Sequence, residues 1–168
     1  MGIRGLKAHL ARLDKMQSPS LEVVVGRALF AGGEIIQTAA QISITTGAVS
    51  GKGHVPSPVG SPPNNDTGVL AGNIETTQAG PLKVLVGSYA PYSAALEGGA
   101  ERKAGTGFRS FSEKSKKSGP VKVEFGDSQT AARPFLAPAR DASKKAVRKL
   151  FADAINAHIR SARSNEKG

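Results

Sequence analysis

Between Leu21 and Ala40, apolar and small residues recur at three- and four-residue spacing: Leu21, Val24, Val25, Ala28, Leu29, Gly32, Ile35, Ile36, Ala39 and Ala40. That period lines up on one face only in an α-helix. Ser18 followed by Pro19 offers an N-cap with proline at the first helical position, and Thr45-Thr46-Gly47 offers a stop. The spacing therefore predicts a helix of about six turns. So long an apolar face has to be covered by the rest of the chain. Gly32-Gly33 near its middle costs roughly 1 kcal/mol per glycine against alanine, which marks a close-packing point or a slight kink.

Two segments are suited to cover it. After Pro138, the residues Ala142, Val147, Leu150, Phe151, Ala154, Ile155, His158 and Ile159 line one face of a second long helix. Arg140, Lys144, Lys145, Arg148, Lys149 and Arg160 occupy its other faces. Residues 161–168 are expected to fray. The other segment is a hairpin: Ile74 to Thr77 and Leu82 to Gly87 are β-favouring runs separated by Gln78-Ala79-Gly80-Pro81. Val121 to Phe125 alternates and predicts a third strand. Ile3 to Met16, with Ile3, Leu6, Leu10 and Leu13 in helical register, predicts a short amphipathic helix that folds back onto the core. Residues 48–65 are rich in Gly, Pro and Ser and predict a loop with polyproline character. Pro62 to Gly68 forms a turn, and Tyr92 to Glu97 one helical turn that Gly98-Gly99 stops. The expected fold class is α+β: a small antiparallel sheet packed against a long N-terminal helix and a C-terminal helix, with a long basic loop, in a single domain over residues 1–168.

The chemistry that the chain can support is narrow. It has no cysteine, which removes disulfides and thiolate nucleophiles. His9, His54 and His158 show no metal-ligand spacing, and no cofactor is expected. No GxSxG elbow or phosphate-binding GxxxxGK[ST] run is present. No apolar run is expected to reach the length of a membrane span, and Met1 to Lys7 lacks a signal-peptide core, so no membrane partner is expected. Asp66, before Thr67 and Gly68, suits an Asx-turn or a helix cap, and Glu97 a turn residue or an interface contact. Neither forms an acid/base pair, and an enzyme is not expected.

The net charge of +10 raises the question of a polyanionic partner. Within residues 100–120, expected to be a mobile basic loop or a hairpin extension, Arg102, Lys103, Arg109, Lys114, Lys116 and Lys117 surround Phe108 and Phe111. Stacking on single-stranded nucleic acid is one use of such a pattern. Docking of the two Phe residues into a neighbouring subunit is another, and solvated helix faces account for much of the charge.

The order of three motifs adds a different kind of information. Pro62-Pro63-x-x-Asp66-Thr67-Gly68-x-Leu70 comes first, then Tyr89-Ala90-x-Tyr92 with Leu96-Glu97-Gly98-Gly99, then Ala132-Arg133-Pro134-Phe135-Leu136-x-Pro138-Ala139 before the last helix. Together they resemble the tail-completion or head-tail-joining proteins of long-tailed bacteriophages, often filed as minor tail proteins and carried also by prophages and gene transfer agents. The resemblance spans about Leu21 to Ile159. It implies a virion protein, assembled in the bacterial cytoplasm, that forms a ring, usually a hexamer, at the neck-to-tail junction. Tail-tube, tail-terminator or head-connector proteins would be its neighbours, and DNA would pass through the lumen. No catalysis is implied. Two departures stand out: Val69 follows Thr67-Gly68 where a basic residue is common, and Glu101 to Lys122 is long. Tyr89, Tyr92, Glu97, Arg133, Phe135 and Leu136 become candidate interface or structural positions, alongside Asp66, Thr67 and Gly68. For Phe135 the simpler role is to pin the last helix to the core.

Overall fold

Proline opens the first long helix, as the sequence predicts: α1 runs over Pro19–Thr45, about 40 Å at 1.5 Å per residue. The computed structural model describes Leu10, Asp14 and residues 19–109 and 121–164, with 107–109, 121–123 and 162–164 by backbone alone. Most of the predicted first helix thus lies outside the described residues; Leu10 and Asp14 are helical and exposed. Downstream of α1 come a 3-10 turn at Gly51–Gly53, the short helix α2 (Val69–Gly72), strands β1 (Ile74–Gly80) and β2 (Lys83–Ser88), and helix α3 (Ser93–Gly98). Strands β3 (Ala100–Arg102), β4 (Gly105–Arg109), β5 (Val121–Phe125) and β6 (Ser128–Thr130) precede the terminal helix α4 (Leu136–Ser164).

The architecture is α+β, with two long helices packed on each other and the first of them packed also on an antiparallel hairpin. Small residues let these layers approach. A Cβ on Gly32 would lie 3.1 Å from Val147 Cγ1 of α4. On Gly33 it would lie 2.6 Å from Thr76 Cγ2, and on Gly26 2.7 Å from the Pro81 carbonyl oxygen. One glycine therefore faces α4 and two face the hairpin. By length and composition α1 would suffice to cross a membrane, contrary to expectation, but its small-residue face is taken up by α4 and the hairpin. Gly33→Ala is expected to destabilise by about 1–2 kcal/mol, because overpacking against β-branched Thr76 outweighs the gain in helix propensity. Gly72→Ala, with open space around it, should be neutral or stabilising; thermal denaturation of both variants checks the contrast.

The hairpin pairs Thr77 with Leu85 and Thr76 with Val86, which turns Thr76, Val84 and Val86 towards the helices. Val121–Phe125 is a strand, but it pairs with β4 rather than with the hairpin, so the strands among the described residues form three two-stranded ladders. The segment expected as a mobile loop or a hairpin extension is, over its described part, an antiparallel ribbon: β3 with β6, then β4 with β5. At the junction Ala104 N–H donates to Asp127 Oδ1 at 2.6 Å. Residues 110–120 lie outside the described residues.

The core is small and sits where the C-terminal half of α1 meets α2, the start of β1 and the start of α4. It contains Ala40, Ile44, Leu70, Ile74, Ala90, Phe135 and Ala139. Three expectations about α4 need correction. It starts at Leu136, before Pro138, and stays helical to Ser164 instead of fraying from 161. Ala142 is exposed, and the inward stripe passes through Ala139 and Ser143 instead.

Candidate functional site

Helix α4 begins on a carboxylate that comes from another part of the chain. Glu97 Oε2 accepts the N–H groups of Phe135 at 2.9 Å and Leu136 at 3.0 Å, and Oε1 accepts that of Ala137 at 2.9 Å. A helix leaves its first four N–H groups without internal partners. Here one carboxylate takes three, and the next residue, Pro138, has no N–H to satisfy. The Ala139 N–H then donates to Phe135 O at 3.4 Å and the helical ladder begins. The negative charge also faces the positive end of the α4 dipole.

The backbone beside the cap is tied down as well. Arg133 N–H donates to the Leu96 carbonyl at 2.6 Å, and the Gly60 N–H to the Ala132 carbonyl at 3.0 Å. Gly99 has φ of 75°, and a Cβ there would lie 3.0 Å from Thr130 O, so both the conformation and the close approach call for glycine. These contacts explain why the Leu96 to Gly99 and Ala132 to Ala139 motifs occur together.

The Arg133 side chain leaves the cap and donates through Nε to the Ser57 carbonyl at 3.0 Å. It thereby borders a cleft of about 300 Å³, whose other walls include His54, Pro56, Ser57, Pro63, Asp66, Thr67, Leu70, Tyr92 and Leu96. All three sequence motifs contribute to this cleft. Its outer loop is held by Asn65 N–H donating to Ile44 O at 2.9 Å, Asn64 Nδ2 donating to Val55 O at 2.8 Å, and Gly51 N–H donating to Asp66 Oδ1 at 2.8 Å. Asp66 is therefore a loop tie. The Asx-type bond expected of it is made by its neighbour Asn65, whose Oδ1 accepts the Gly68 N–H at 3.1 Å. Gly68 has φ of 82° where the turn enters α2.

The other candidate residues divide cleanly. Phe135 is fully buried and Leu136 half-buried, so Phe135 serves the core, not a surface. Tyr89 and Tyr92 are exposed, and the Tyr89 hydroxyl lies 3.4 Å from Thr77 Oγ1. Arg102 stacks over Phe125, its Cζ 4.5 Å from the ring centroid, and Lys103 is exposed. Phe108 and Arg109 are in β4 by backbone; Phe111, Lys114, Lys116 and Lys117 lie outside the described residues. On α4, Arg140 holds the Asp141 carboxyl below its ordinary range, chiefly through their hydrogen bond, and Asp153 raises Lys149 in the same way. These pairs are exposed and contribute little to stability.

Sequence reasoning missed Ser57, His54, Asn64 and Asn65. The signal for Ser57 was its position between Pro56 and Pro58, which stiffens the backbone that presents its carbonyl to Arg133. Although His54, Ser57 and Asp66 border one cleft, they do not form a nucleophilic triad. The His54 Nδ1 donates to the Val49 carbonyl at 3.1 Å, and Ser57 Oγ has no hydrogen-bond partner among the described residues. No group of three potential metal ligands occurs among the described residues. A second groove, of about 570 Å³, runs between the N-terminal half of α1 and the hairpin turn, past Val23, Phe30 and Pro81. No protein-family model, curated protein or solved structure matches the chain.

Proposed function

We propose that this protein is a structural component of a phage-like particle that assembles into a ring at the head-tail junction or tail end. The observation that carries the reading is the convergence of the three motifs. Segments far apart in sequence, singled out only by their order, fold against one another as a helix cap and a cleft, as befits a single fold signature. Two further features support assembly. Among the described residues each of the three ladders has two strands, so outer edges remain there that a neighbouring copy would cover, and a closed ring covers them in every subunit. The ribbon of β3 to β6 packs chiefly on itself and is available to reach a neighbour.

The test is the mass of the purified protein across a concentration series, alone and with tail-tube protein. A ring-sized species, formed alone or on addition, is the expected result; a strict monomer in both conditions overturns it. A second reading, a nucleic-acid-binding module, is favoured by the exposed Lys144, Lys145, Arg148 and Arg160 of α4 together with Arg102 and Lys103. In that case the monomer binds DNA, with log affinity falling against log salt by about 0.9 per phosphate contacted.

A further inference from the structure

We propose that the cleft beside Arg133 is a receptor for an acidic side chain, an aspartate or glutamate presented by a neighbouring protein chain. Naming a neighbouring chain as the source rests on the assembly reading; the pocket chemistry does not. Three observations lead there. First, Arg133 is half-buried and oriented from both ends: its backbone N–H is bonded to Leu96, and its Nε to the Ser57 carbonyl. Of five guanidinium N–H donors only that on Nε has a partner among the described residues. The edge formed by the two terminal nitrogens remains, and it matches a carboxylate bidentately.

Second, Ser57 is only 5% exposed, yet its hydroxyl has no partner among the described residues. A buried polar atom without a partner is uncommon and calls for an explanation; a hydrogen-bonding group that enters the cleft and shifts the Ser57 loop enough to uncover the hydroxyl supplies one. Third, a volume of about 300 Å³ lies at the small end for ligand sites and has room for one side chain. Pro56, Pro63, Leu70 and Leu96 provide apolar walls for the methylene stem of such a side chain.

The experiment is arginine side-chain and backbone amide NMR of the full chain, titrated to millimolar levels with three probes: N-acetyl-glutamate methylamide, its glutamine counterpart and inorganic phosphate. The glutamate probe is expected to shift the Arg133 Nε–H resonance and the Ser57 and Thr67 amides in a saturable way, with the glutamine probe silent. Arg133→Lys, which keeps charge but loses the planar fork, should weaken binding about tenfold. The wild-type resonances give the answer even where that variant fails to fold. No shift, equal shifts from glutamine, or equal or stronger binding of phosphate overturns the proposal. A chain that binds the probe yet stays monomeric defeats the ring and leaves the pocket standing. A ring whose pocket ignores carboxylates does the reverse.

Discussion

Phe135→Ala is expected to cost about 3–5 kcal/mol of folding stability, the usual range for truncating a fully buried aromatic. Phe135 is 0% exposed and packs with Ile44 and Ile74, which are buried nearly as completely. These are the three largest fully buried side chains among the described residues. Against a total stability of roughly 5–15 kcal/mol, that is about a fifth or more, and a melting temperature lower by about 6–20 °C. Urea unfolding followed by far-UV circular dichroism checks it, with a lower midpoint and an unchanged slope as the expected pattern. Phe135→Leu keeps most of the volume and should cost less than about 1.5 kcal/mol. Were Phe135 an assembly anchor instead, truncation would spare the monomer and abolish only the ring. Its burial within one subunit argues for the first outcome.

What the sequence disclosed and what it hid divide along the range of the interactions involved. The long helices and the hairpin were legible because periodicity and turn residues are local signals. Gly32-Gly33 could be read as a close-packing point, but not that Gly32 meets Val147 while Gly33 meets Thr76. The start of α4 was misplaced at Pro138 because proline is a strong local signal for a first turn. The group that sets the start, Glu97, lies 38 to 40 residues upstream and leaves no mark in the local pattern. Ala142 was assigned to the buried face for a related reason. A stripe of alanines and aliphatics has a small residue on either side, and tertiary packing chose Ser143. The pairing of β5 with β4 was also undetermined, since an alternating run shows that a strand exists but not which neighbour it takes. The cleft was legible only as three unconnected motifs, and Ser57, its buried hydroxyl, only as one more serine in a proline-rich loop.

Glu97→Ala is expected to cost about 2–4 kcal/mol, more than an ordinary helix cap, because one half-buried carboxylate serves three donors. The loss should be local before it is global: hydrogen exchange at the Phe135, Leu136 and Ala137 amides accelerates while the middle of α4 stays protected. Glu97→Gln should fall about midway, because its single amide oxygen can replace Oε2 for Phe135 and Leu136, whereas its NH₂ group would confront the Ala137 N–H. The cap and the core are not independent, since the residue whose N–H Glu97 holds is the one whose ring fills the core. A double-mutant cycle of Glu97→Gln with Phe135→Leu should therefore show a coupling of about 0.5–3 kcal/mol. Additive losses would mean that the ring finds its place without the cap. A Glu97→Ala cost below about 0.5 kcal/mol, the level of an ordinary surface change, would mean that water replaces the carboxylate freely. The Leu96 to Gly99 motif would then need an explanation other than the cap.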